Sequence, residues 1–484
     1  MSHLKKSLTI GAIAIFLFPL LCQAHYVSEQ ITVDPRITYE QWHMPNGLKP
    51  MGVVGLHGLV DFKPWLYGGL GLYSAVSGQN GGFFGLALEG GVQHTLFSKI
   101  AIDGGIRVGG AGGHTTPVGG GLFYEPYIGL KYHFTRVTTG IYYSYVHFDT
   151  GSINSHQIGF SLSTPFHFHY FSGSTAKSSH SDNYIAALVK SYFPTSDTLK
   201  FNNQSMQSDI EFLGVELGHY LKKRILLFFN FSGAFHGNQN GYADELLGIG
   251  YRFPLFHLSA LNGIVKMAAG SGGGGSVNTG GGFIYSPTLG VEYRFTPAFG
   301  VELNGGYIAA PEGHFKAGEA SLLLKYYFSH VHGDYSHSKP WRIRIDNQTY
   351  FKPRSSSGSD NPTMQLLGFD VDYFMKHYFY LTGQTAFAYI GKNTGGYFSG
   401  LLGVGAETSE IKKTHLSLFS ELLAGTAGGA GLSIGDGALV EPVAGLEYHL
   451  NRAVDLQTSV GCLYAIKGDF RPITLTVGLG YKFN

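Results

Sequence analysis

Three kinds of residue in this sequence invite a chemical reading: glycine runs, histidine pairs, and serine next to histidine. Gly270 to Gly275 resembles a phosphate-cradling loop at first sight. It lacks the following Gly-Lys-Ser/Thr, so nothing supplies the lysine or the magnesium ligand. The expectation is a loop whose glycines permit bulges and turns, not a nucleotide site. His167 and His169 with His180, and His330 and His332 with His337, fall in two polar stretches. Imidazoles two apart on a strand share a face and could begin a zinc or copper site. Nearby carboxylates are few, so polar linkers are expected there instead. Ser155-His156 and Ser179-His180 are adjacent in sequence, which on a strand turns the two side chains to opposite faces. A hydrolase needs a nucleophile beside a positioned base. No catalytic, cofactor-binding or metal residue is therefore assigned, and no cofactor is expected.

The elements that would carry these residues follow from the rest of the chain. Lys5 and Lys6 precede an apolar run from Leu8 to Leu21 and then Cys22-Gln23-Ala24. This pattern predicts a secretory signal over residues 1–24 with cleavage after Ala24. The apolar run is short for a membrane-spanning helix. Leu20 and Leu21 stand where a lipoprotein signal carries a small residue before its cysteine. The mature chain would keep Cys462 alone, so no disulfide holds it together. Without Lys5 and Lys6 the 33 basic residues fall to 31 against 32 acidic ones. That balance gives no sign of a nucleic-acid partner.

Glycine is abundant, at 71 of 484 residues, and Tyr plus Phe number 67, while charged residues make up 13%. Disordered glycine-rich chains lack the 44% hydrophobic content seen here. No apolar run after the leader reaches the ~18 to 20 residues of a membrane helix.

A threefold repeat organises the mature chain. Gly109 to Phe134, Ala269 to Phe295 and Ala424 to Leu450 are versions of one segment, aligned by Pro126, Pro287 and Pro442. A second marker recurs at nearly the same interval, at Gln79 to Gly82, Gln239 to Tyr242 and Lys392 to Gly395. So long a period exceeds solenoid units and suits a complete small domain. The repeats are placed at 26–168, 182–328 and 341–484, with connectors from His169 to Ser181 and from Ser329 to Pro340.

Each repeat divides into eight strand-like runs. In the third they are 341–353, 364–376, 378–389, 397–408, 414–425, 438–450, 454–466 and 472–483. These lengths suit tilted strands that cross a bilayer. Connections alternate between tight, basic turns and longer loops rich in Gly, Ser and Asn, as in barrels with short periplasmic turns and long external loops. Strand faces alternate too. Leu475, Val477, Leu479, Tyr481 and Phe483 oppose Thr474, Thr476, Gly478, Gly480 and Lys482. Ile128, Leu130 and Tyr132 oppose Gly129, Lys131 and His133.

The leader, the repeated Tyr-x-Phe strand ends and the closing strand Leu475 to Phe483 resemble Gram-negative outer-membrane β-barrel proteins. The triplicated glycine-rich segments are similar to members of that class without assigned activity. Asn484, after the final aromatic residue, departs from the class pattern. The resemblance implies the cell outer membrane as location. It implies outer-membrane lipid, lipopolysaccharide and the barrel-assembly machinery as partners. The fold expected is all-β, a transmembrane antiparallel β-barrel of about 24 strands in three eight-stranded repeats. Three tandem small barrels are favoured over one large barrel, because a wide lumen needs a plug and no plug-sized domain is present. The function expected is a structural, surface or passive permeability role without enzymatic activity. The alternatives are a porin-like channel, if a single large barrel forms, and an outer-membrane enzyme acting on lipid or lipopolysaccharide.

Overall fold

A computed structural model describes residues 30–113, 116–169, 183–206, 208–221, 224–256, 258–328, 341–375, 378–411, 414–451 and 453–483. The expected leader lies outside them. Among the described residues every regular element is a β-strand, because inward and outward positions alternate residue by residue along nearly every run.

The first eight-stranded unit contains β1 (Gln30–Trp42), β2 (Met51–Lys63), β3 (Leu66–Ser77), β4 (Phe84–Phe97), β5 (Ile100–Gly112), β6 (Leu122–His133), β7 (Thr138–Phe148), β8 (Asn154–Ser163) and β9 (Phe166–His169). Short β9 continues the line of β8 along β1, and β1 pairs with both β2 and β8, which closes the barrel. The second contains β10 (Asn183–Pro194), β11 (Ile210–Leu221), β12 (Ile225–His236), β13 (Ala243–Leu255), β14 (Leu258–Gly273), β15 (Phe283–Arg294), β16 (Phe299–Ala309) and β17 (Lys316–Phe328). It closes between β10 and β17. The third contains β18 (Trp341–Phe351), β19 (Met364–Phe374), β20 (Phe379–Ile390), β21 (Phe398–Glu407), β22 (Leu416–Gly428), β23 (Ala438–His449), β24 (Val454–Cys462), β25 (Tyr464–Ala465) and β26 (Ile473–Phe483). It closes between β18 and β26, with β24 and β25 forming one interrupted strand. All pairing is antiparallel and sequential, so the fold is three small up-and-down barrels and not one wide one.

The alternating faces separate two environments. Ile128, Leu130, Val291, Leu303, Leu446 and Val477 are 43% to 59% exposed on the outside. Their neighbours Lys131, Glu292, Glu302 and Glu447 are buried inside. At the tight-turn end Trp65, Phe97, Phe134, Phe295 and Tyr378 stand outward as an aromatic girdle. One connection departs from the expected alternation, since residues 408–415 at the turn end span eight positions between β21 and β22.

The repeated prolines do not end their strands. Pro126, Pro287 and Pro442 pair in register with Ile106, Met267 and Leu422 on one side. On the other side the ladder skips them, from Tyr124 to Tyr127, from Tyr285 to Thr288 and from Val440 to Val443. A missing N–H explains a one-sided gap, and the same interruption in each barrel breaks the strand after β24.

The three barrels pack in a ring. Strand β3 of the first lies against β14 and β15 of the second, β12 of the second against β22 and β23 of the third, and β20 of the third against β4, β5 and β6 of the first. Each barrel thus uses one surface toward its successor and another toward its predecessor, and the third returns to the first. This is the closed, head-to-tail arrangement of a cyclic trimer, built within one chain.

Candidate functional site

Each lumen is a charge network sealed at the loop end by aromatic residues. In the first barrel Arg107 donates to Glu125 at 2.7 Å, and His57 Nδ1 stands 2.6 Å from Glu89. Lys131 meets Asp103 at 2.8 Å, and Tyr127 donates to Glu89 at 2.6 Å. In the second, Lys266 bridges Glu216 at 2.7 Å and Glu302 at 2.8 Å. There Lys190 meets Asp244 at 2.7 Å and Lys325 meets Glu292 at 2.8 Å. In the third, Arg342 joins Asp372 and Glu447, both at 2.6 Å, while Arg344 reaches Asp372 and Glu421 at 3.0 Å. Eight strands leave an interior that side chains just fill.

Above each network sits a hydrophobic cap made partly by the loops. Trp42, Phe83, Phe123 and Phe148 close the first barrel together with loop residues Val118 and Ile153. Tyr192, Phe212, Tyr242 and Phe315 close the second with Val277. Tyr350, Tyr397 and Phe470 close the third with Leu432, Ile434 and Leu463. The loops therefore do turn inward, and they place apolar side chains over a polar lumen.

The glycine runs have a different task from phosphate binding. Gly113, Gly274 and Gly429 all take positive φ (+135°, +102° and +95°), and a Cβ at each would strike the carbonyl oxygen of Gly82, Gly241 or Gly396 in its own barrel. The neighbours across the ring are equally close: a Cβ at Gly82 would meet Gly274, at Gly241 would meet Gly429, and at Gly396 would meet Gly113. Gly81 N–H donates to Gly280 O at 2.9 Å, Gly395 N–H to Gly119 O at 3.0 Å, and the Asn240 side chain to Gly435 O. Both repeated sequence markers are thus halves of one inter-barrel contact, made three times. Beneath it Phe84, Leu86, Ala243, Phe387 and Phe398 form an apolar cluster shared by all three barrels.

Of the residues singled out in the sequence, Ser155 and His156 do point to opposite faces. Ser155 is buried and accepts the His43 N–H at 2.7 Å, while the His156 ring stacks on Tyr145 outside. The backbone of His167 and His169 lies in β9, and His180, His330, His332 and His337 fall outside the described residues.

One constellation was not found from sequence. Ser417 Oγ stands 2.8 Å from His449 Nε2, and His449 Nδ1 stands 2.6 Å from Asp455 Oδ1. These are the contacts of an acyl-transfer triad, set at the turn end of the third lumen. The three residues come from β22, β23 and β24, so no local motif shows them. Only the hairpin register, pairing Ser417 with Glu447 and His449 with Asp455, brings them together. The same positions hold Ala101, His133 and Thr138 in the first barrel and Asn262, Arg294 and Gly300 in the second. His133 bonds Thr138 at 3.0 Å with no serine present. Ser417 is 1% exposed, which blocks a substrate from its oxygen. Glu447, His449 and Asp455 also have the composition of a metal site, with ligand atoms within 4.8 Å of one another. Lys482 already supplies the positive charge there, 2.9 Å from Glu447 and 3.3 Å from Asp455.

Apolar outside, charged inside and closed on itself, the chain is an integral membrane β-barrel protein, for only a closed sheet satisfies its backbone in lipid. Within that class it is a single polypeptide carrying three separate eight-stranded barrels in a ring. No family model matches the sequence, and no curated protein matches it. Among solved structures, it aligns with the siderophore receptor PirA from Pseudomonas aeruginosa at 9% identity, covering 94% of this chain and 81% of that one, with a TM-score of 0.29. It aligns with OccK2 (OpdF) of the same organism, in complex with glucuronate, at 9% identity over 94% and 97% of the two chains, with a TM-score of 0.23. The copper transporter OprC gives 11% identity, 93% and 80% coverage and a TM-score of 0.29. Similarity at this level leaves the class of the chain to its own geometry.

Proposed function

We propose that the protein is a structural and surface-displaying unit of the outer membrane, not an open pore. The observation that carries this reading is the sealing of all three lumens, by ion pairs below and aromatic caps above. A porin-like channel requires a single wide barrel, and three filled barrels do not meet that condition. In this reading the tight turns lie on the periplasmic side, the glycine loops lie on the cell-exterior side, and lipid and lipopolysaccharide surround the apolar belt. Insertion would use the barrel-assembly machinery.

Planar-bilayer recording on the purified full-length chain tests it. The expected trace is flat, with rare brief openings at most. Regular steps of porin size would overturn the proposal in favour of a permeability role.

A second reading, hydrolysis, is favoured by the Ser417–His449–Asp455 contacts alone. It requires the turn end of the third barrel to open, exposing Ser417. A fluorophosphonate probe would label the intact protein and fail to label Ser417→Ala if this reading holds. An unlabelled wild-type chain removes it.

A further inference from the structure

The two ends of the barrels carry charge differently. Segments that join strands on the loop side hold seven basic and seven acidic residues. The stretches between barrels, 170–182 and 329–340, are balanced too, with Lys177 and Lys339 against Asp182 and Asp334. Segments that join strands on the turn side hold nine basic residues and a single acid, Glu410. The first barrel contributes Lys99 and Arg136, and the second Lys222, Lys223 and Arg224. The third contributes Lys376, Lys412, Lys413 and Arg452, while Lys63 adds one more cation at the end of β2. Of these, Lys63, Lys99, Arg136 and Arg224 are among the described residues, and all four are exposed.

Pairing separates the two ends as clearly as number does. On the loop side Arg354 meets Asp360 at 3.1 Å and Lys467 meets Asp436 at 2.7 Å. On the turn side Arg224 donates to the Tyr251 hydroxyl at 3.4 Å, and Lys63 lies 5.6 Å from the centre of the Trp65 ring. Neither meets a carboxylate among the described residues, and nor do Lys99 and Arg136.

These cations also stand at a defined height. Lys63 is two residues from Trp65, Lys99 two from Phe97 and Arg136 two from Phe134, and all three rings are exposed in the girdle. Interfacial aromatic side chains sit at the headgroup level of a bilayer. Cations in the same turns therefore reach the phosphate layer, where anionic lipid attracts clustered lysine and arginine.

We propose that the turn side is a collar that gathers anionic phospholipid headgroups, of the phosphatidylglycerol kind, from the leaflet around it. The apolar belt takes the acyl chains, the aromatic rings mark the boundary, and the ammonium and guanidinium groups hold the phosphate. The balanced, self-paired loop side offers no matching attraction. Only the identity of the leaflet, the periplasmic one, rests on the orientation given above.

Trp65 lets the first barrel's part of the collar be read directly. Full-length protein is refolded into phosphatidylcholine vesicles in which about one lipid in five is a brominated quencher, enough to reveal a headgroup preference. The quencher is either brominated phosphatidylglycerol or brominated phosphatidylcholine. It enters both leaflets, so the result does not depend on orientation. The anionic quencher should reduce tryptophan emission about threefold more efficiently than the zwitterionic one. Added salt should narrow that gap. A chain carrying Lys63→Gln, Lys99→Gln and Arg136→Gln loses only exposed charges. It should keep its heat-modifiable folded band and bring the two quenching efficiencies level. Equal quenching of the wild-type chain by the two lipids, or a triple variant that keeps the wild-type preference, overturns the inference. Either result leaves the flat bilayer trace, and with it the closed-lumen reading, as it was.

Discussion

Lys325 shows what a single residue does in these lumens. Its ammonium lies 2.8 Å from Glu292 and in direct contact with Glu302, with all three side chains sealed from solvent. A buried pair adds little over a well-packed apolar replacement, but removal of one partner leaves the other charge stranded. Lys325→Met should therefore cost about 3 to 5 kcal/mol, read as a lower urea midpoint for the refolded protein. Adding Glu292→Gln and Glu302→Gln to the same chain should recover most of that loss. If the triple variant is no more stable than the single one, the network is not what sets stability there. Alternation along the strand sets Glu292 and Glu447 on the face opposite Val291 and Leu446, and that much is readable from residue order. Residue order does not show which cation each meets, since Lys325 and Glu292 stand on strands that are not neighbours.

Among elements, the glycine loops do the most that their composition left open. Positive φ at Gly113, Gly274 and Gly429 turns each chain back after a long strand, which an L side chain resists. Gly428 differs, because it sits at the end of β22 in extended conformation. A Cβ there would fall 1.9 Å from the Gly241 nitrogen of the neighbouring barrel. Gly428→Ala thus strains only the inter-barrel contact and leaves its own strand intact. The expected cost is about 1 to 3 kcal/mol, seen as faster protease cutting within residues 170–181 and 329–340 while each barrel keeps its heat-modifiable shift. An unchanged protease profile would mean that the glycine contacts touch without holding.

The whole molecule behaves as a trimer whose subunits are tethered. Three contacts of one kind close a ring, so loss of any one leaves each barrel still joined to a neighbour. A specific protease site inserted among residues 170–181 should give two fragments that stay together in mild detergent. They should separate only when heated with a strong one, and size-exclusion chromatography before and after cutting reads the outcome. Independent elution of the first barrel after cutting would show that the connector, not the interface, keeps the ring closed.

Much of this architecture was legible from residue order. Alternation of period two, eight runs per repeat and turn signals between them are local properties, and local backbone geometry makes them so. The strands of the third repeat fall within a few residues of their expected ends. The repeat markers at Asn80, Asn240 and Asn393 were equally visible, but their purpose was not. Ring closure, the one-sided proline gap and the Ser417–His449–Asp455 contacts all depend on which strands meet. Strand register and barrel packing bring together residues tens to hundreds of positions apart, and no spacing along the chain encodes those distances. Sequence determined the faces of each strand, and the tertiary structure decided what each face touches.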